Sequence, residues 1–156
     1  MDAVLAALEG TAVAQALRIS RWGYAAVNAT HILGIALLVG ATVPLNLRLL
    51  GLWRGVPVPT LGRVLGPVAA AGLTLAVLAG LLLFSIRARE YAGLGVFQLK
   101  ISLVVLGALS ALAAVRAHGF SMEQASGGRL KALALVSMVC WIGALVCGRL
   151  IAFVGE

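Results

Sequence analysis

The sequence predicts an all-α integral membrane fold: an antiparallel four-helix bundle preceded by a short N-terminal interfacial helix. Three observations carry that expectation. The chain is 62% hydrophobic and 11% charged with a mean hydropathy of +1.09, whereas soluble domains carry about a quarter charged residues. Four apolar runs, at about 24–46, 65–86, 96–115 and 132–153, each have the roughly 20 residues that cross a 30 Å hydrocarbon core as a helix. Each run is apolar all round, unlike the short alternating strands of a membrane barrel. The whole chain, 1–156, is therefore expected to form a single transmembrane domain.

The elements follow in order. Between about 2 and 18, Val4, Leu5, Leu8, Ala12 and Leu17 form an apolar stripe interrupted at Gly10. Asp2 and Glu9 stand where a signal peptide carries basic residues, so a retained helix lying on the membrane surface is expected. The first span, from Tyr24 to Asn46, carries His31 about two turns in. The second, Leu65 to Ile86, repeats small residues at Gly72, Ala76 and Gly80, and Gly107 with Ala111 repeats the spacing in the third, so neighbouring backbones can approach closely. The third span, Val96 to Val115, carries Lys100 about one turn in. The fourth, Ala132 to Phe153, holds Arg149, Trp141 and both cysteines. Cys140 and Cys147 would lie about 10 Å apart on one helix, beyond disulfide reach, and read as packing residues. Trp22, Tyr24, Trp53 and Tyr91 fall near span ends, where amphipathic rings prefer the interface.

Charge sets the expected orientation. Arg48, Arg54 and Arg63 in the first loop, with Arg116, Arg129 and Lys131 in the third, are opposed on that side by Glu123 alone. Arg18, Arg21, Arg87 and Arg89 on the other face are balanced by Asp2, Glu9, Glu90 and Glu156. The more basic side is expected to be cytoplasmic, which places both termini on the periplasmic side of a bacterial inner membrane. The net charge of +7 is accounted for by anionic lipid headgroups beside basic loops and requires no nucleic acid.

Polar side chains at membrane depth are candidate functional groups. His31, Lys100 and Arg149 fall near one level when counted from the outer ends, with Arg87 just above them. Asn28 shares a helix face with His31 and is expected to orient its imidazole. His118 falls in the third loop and reads as solvated. These residues predict an outer-facing pocket with His31 as the metal ligand. Imidazole is a common axial ligand of haem iron, and Arg or Lys matches the propionates. Haem b is thus the expected cofactor, and a quinone, a porphyrin or a redox protein the expected electron partner. A bare zinc or copper ion would want more ligands than one histidine supplies. Two other readings stand beside this one: a non-catalytic membrane subunit or copper-handling domain, and a small-molecule transporter, each compatible with a homo-oligomer. No broken helix or inverted repeat supports transport.

Trp22 through His31-Ile-Leu-Gly34, Asn46-Leu-Arg48-Leu-Leu-Gly51, Gly80-Leu-Leu-Leu-Phe84 and Phe97-Gln-Leu-Lys100 resemble small uncharacterised bacterial four-helix membrane proteins. More distantly, a first-span histidine with a lysine opening the third span resembles the HemJ-type protoporphyrinogen oxidases and the CopD copper-resistance membrane domain. The HemJ resemblance implies haem and porphyrin binding for His31 and Lys100.

Overall fold

The computed structural model describes residues 2–119 and 128–154, except for the side chains of His118 and Val154. Seven helices follow one another: α1 (Asp2–Glu9), α2 (Ala12–Ile19), α3 (Arg21–Leu50), α4 (Val58–Ile86), α5 (Ala88–Gly93), α6 (Gly95–His118) and α7 (Gly128–Val154). Four of them, α3, α4, α6 and α7, are long and apolar enough to cross a membrane. Each extends beyond its expected apolar run, α4 at its start and the other three at both ends, because helix continues through polar and proline-bearing segments such as Val58-Pro-Thr-Leu-Gly-Arg63. Pro59 fits this start, since the first turn leaves its N–H groups unpaired in any case.

The expected single N-terminal helix is two. Gly10 closes α1, and Thr11 opens α2 by accepting the Ala14 N–H on its hydroxyl at 3.3 Å, an N-cap that starts a new helix rather than continuing the old one. Ser20 caps α3 in the same way through the Gly23 N–H. At the far end Gly51, at φ 112°, reverses the chain: its N–H reaches the Arg48 carbonyl and the Leu52 N–H the Leu47 carbonyl, a left-handed stop that glycine adopts without a Cβ clash.

The four spans form two antiparallel hairpins, α3–α4 and α6–α7, joined where α3 packs on α7. Among the described residues α4 and α6 share no backbone packing, nor do α3 and α6. At the end bearing the first and third loops an apolar core closes the bundle: Leu45 and Leu49 of α3, Ala114 of α6, and Leu130 and Ala134 of α7, with Val58, Leu61 and Leu65 of α4 against them. Asn46 donates to the Ser137 hydroxyl at 3.2 Å within the bundle, a buried link between α3 and α7. At the opposite end Phe84 of α4 stacks on Phe97 of α6, with ring centroids 5.2 Å apart and 7° between the planes.

The α3–α4 seam is the tightest. A Cβ on Gly34 would stand 2.5 Å from the Ala76 nitrogen, and one on Gly72 2.6 Å from the Leu38 nitrogen, so the backbones touch where both side chains are missing. Gly72→Val should therefore force the helices apart and lower thermal stability by about 1–3 kcal/mol, read as an earlier unfolding midpoint in detergent. Gly40→Ala, which meets nothing within 4 Å, should leave that midpoint unchanged or slightly higher; equal midpoints for the two variants would contradict the seam as described.

Candidate functional site

His31 lies on α3 one turn before Gly34, so the close approach of α4 decides what its ring meets. Nδ1 is 2.8 Å from the Ala76 carbonyl oxygen. A carbonyl only accepts, so Nδ1 carries the proton and donates, which leaves the Nε2 lone pair available in the neutral ring. Gly80 provides the recess for the ring: a Cβ there would fall 3.0 Å from Cε1 and 3.3 Å from Nδ1.

Lys100 comes from the second turn of α6 and lies across Gly148 of α7. A Cβ at Gly148 would be 3.4 Å from Nζ, 3.5 Å from Cε and 3.9 Å from Cδ. The stem rests in that glycine recess on α7. His31 of α3 is thus held against α4 and Lys100 of α6 against α7.

An aromatic roof joins α4, α5 and α6 toward the α5 end. Phe84 is one turn beyond Gly80 and Phe97 one turn before Lys100, and Tyr91 adds to their stack, 6.0 Å from Phe97. Burial pushes the Tyr91 hydroxyl above its usual range, with Tyr24 adding to the effect and Arg87 opposing it.

The other expected members of the pocket go elsewhere. Asn28 is half-buried and makes no hydrogen bond to His31 among the described residues; the α4 carbonyl takes the orienting role, because the glycine seam brings it closer than a neighbour on the same helix face. The Arg149 guanidinium is exposed and stacks over Phe153 at 4.8 Å, one turn along α7. Arg87 stands at the end of α4, pairs with Glu90 at 3.3 Å, and lines a separate cavity above the aromatic roof. His118 closes α6, and its side chain lies outside the described residues, as does Glu123.

As a ligand set for a bare metal the site is poor: among the described residues no three His, Cys, Asp or Glu side chains converge. A haem brings four porphyrin nitrogens and asks the protein for one donor, a demand that a single imidazole nitrogen such as Nε2 of His31 could meet. Cys140 and Cys147 are both buried and free.

Three features had weaker sequence signals. Asn46 and Ser137 are buried polar residues whose pairing across α3 and α7 no single span reveals. Trp141 is 3% exposed and packs on Gly107, 3.0 Å from the position of a Cβ there, so the Gly107 motif makes room for a ring. The N-terminal helices are fastened to the bundle. Arg18 donates to the Ile86 carbonyl at the end of α4 at 2.5 Å, and Glu9 accepts both the Arg89 backbone N–H and its guanidinium at 3.0 Å.

Comparison of the chain with protein-family models, curated proteins and solved structures finds no match. The reading of the site therefore rests on its residues.

The Arg89 contacts, the backbone N–H first and the guanidinium second, hold the Glu9 carboxyl below the usual carboxylate range. A depressed folded value means the clasp is present above the ordinary carboxylate pKa of about 4.3 and is lost as pH falls through the folded value. Amides of α1 and α2 should accordingly be protected from hydrogen exchange at neutral pH and lose protection in that acid range before the spans do. Glu9→Gln should show the loss already at pH 7; unchanged protection in that variant would mean that apolar packing alone holds the pair.

Proposed function

We propose that this chain is a haem-b-binding redox protein of the bacterial inner membrane, with His31 Nε2 as the axial ligand and Lys100 as the cation that meets a carboxylate of the bound group. The observation that carries the reading is the Nδ1 hydrogen bond to the Ala76 carbonyl. Such a bond fixes the tautomer and ring orientation and raises the basicity of the other nitrogen, as the outer partner of a metal-bound histidine does. Haem would supply one-electron transfer at this level of the membrane, to or from a quinone, a porphyrin or a partner protein.

The surrounding residues supply the remaining requirements. Gly80 and Gly148 leave room for His31 and Lys100 to occupy the interior. The stack of Phe84, Phe97 and Tyr91 lies one turn along α4 from Gly80 and one turn along α6 from Lys100, and supplies apolar surface at that end. Because α4 and α6 lack backbone packing below that stack, the bilayer side offers an apolar ligand its entry. Arg149 and Arg87, turned toward Phe153 and Glu90, have no part in holding the group.

Protein purified in mild detergent from haem-replete cells should show a Soret band that His31→Ala abolishes. Gly80→Ala pushes the ring by a few tenths of an ångström and should lower haem content in a bundle that remains helical. Lys100→Met should also lower haem retention, and its effect should be non-additive with that of His31→Ala, since both act on one bound molecule. A colourless wild-type preparation would overturn the haem reading in favour of the membrane-subunit, copper-handling or transport readings.

The proposed topology places both termini in the periplasm and the loop bearing Arg54 in the cytoplasm. Gly93→Cys, at an exposed position with open space around it, should react with an impermeant thiol reagent in intact cells, and Arg54→Cys should not. The reverse pattern would invert the protein.

A further inference from the structure

Above the aromatic roof, a cavity of about 470 Å³ opens between α2, the start of α3, the end of α4 and α5. Arg18, Arg21 and Arg87 line it together with Tyr24 and Tyr91, and neither His31 nor Lys100 does. Its size falls in the range of small-ligand sites, roughly 300–1,000 Å³. Three guanidinium groups border it. Among the described residues that line it there is no carboxylate; Glu90 pairs with Arg87 at 3.3 Å, and Glu9 is engaged by Arg89. Arg18 covers the Ile86 carbonyl at the negative end of α4, which removes the helix-end charge that would repel an anion. The Arg21 guanidinium stands 6.0 Å from the Trp22 ring, which is 81% exposed. Guanidinium and phenol groups together are the donors that phosphate oxygens bind.

Leu17, Leu83 and Ile86 form the apolar part of the cavity wall. One helical turn further into the span, Ala79 and Leu82 line a second, apolar groove of about 310 Å³ with Val27 and Thr30 of α3. A cationic cavity thus stands over an apolar groove on the same pair of helices, at the end of the bundle where the spans leave the bilayer. We infer that the two together bind one anionic phospholipid, the phosphate among Arg18, Arg21 and Arg87 and an acyl chain along α3 and α4. A free phosphate would use the cavity and leave the groove without a purpose.

The test measures lipid retention by native mass spectrometry of the full-length protein in detergent, with phosphatidylglycerol and phosphatidylcholine of matched acyl chains. Phosphatidylglycerol should be retained preferentially. Arg21→Gln and Arg87→Gln should each lower its retention on the order of fivefold, while the lysine replacements at both positions keep most of it. Arg129→Gln, at the other end of the bundle, and His31→Ala should both retain lipid as the unmodified protein does. Thr30→Trp fills the groove without touching a charge, and it should lower retention in a protein that remains folded whatever the arginine variants do. Equal retention of the two lipids, or full retention in Thr30→Trp, would overturn the inference. Displacement of the lipid by inorganic phosphate alone would also overturn it, in favour of a free anion.

Discussion

The backbone contact between α3 and α4 at Gly34 and Gly72 is the constraint on which the rest depends. A Cβ at either position would penetrate the opposite backbone, so a larger residue must separate the helices. Separation would withdraw the Ala76 carbonyl from Nδ1 of His31, now 2.8 Å away, and would lift the Gly80 recess off the ring. It would also widen the seam beneath Arg18 and Leu83, where the rim cavity forms. In lipid no hydrophobic force drives helices together, so close packing of small residues must do much of that work. Here the same packing aims a polar ring.

Glycine serves two purposes in this bundle. On the α3–α4 seam it brings backbone against backbone. On the α6–α7 seam it makes room for side chains: Gly107 for Trp141, Gly143 for Leu103 and Gly148 for Lys100. Two polar groups at membrane depth, His31 and Lys100, each lie in a recess left by a missing Cβ on the neighbouring helix. The Leu45, Leu49 and Leu130 core closes one end of the bundle, and the rim cavity opens at the ring-stacked end. The chain thereby assigns stability to one end and openings to the other.

The spans were legible because each apolar run matches the bilayer. The exact ends were not, since helix can continue past the apolar run where caps permit, as at Pro57 and Gly51. The break after α1 was foreshadowed by Gly10 and decided by the Thr11 cap. The directions of Arg149 and Arg87 were encoded locally, by Phe153 four residues on and Glu90 three residues on, pairings that a level-by-level count overlooks. The partner of His31 was not encoded locally at all. Asn28 shares its face, but the bond goes to a backbone oxygen on another helix, and a carbonyl that every residue possesses leaves no mark in a sequence.

That last contact also bears on why a histidine stands there. Polar bonds between membrane helices are worth on average about 0.6 kcal/mol, so the His31–Ala76 bond adds little to a seam already held by glycine packing. A residue needed merely to join α3 to the Ala76 carbonyl would do so with a hydroxyl, as Thr30 and Thr42 do toward carbonyls of their own helix. An imidazole introduces a second nitrogen, and once Nδ1 donates to the carbonyl that nitrogen is an acceptor without a hydrogen bond among the described residues. Carrying such a group into an apolar span is unfavourable unless something binds it. Under the proposed reading the bound group meets Nε2 and offsets that cost, which helix association through Nδ1 does not do.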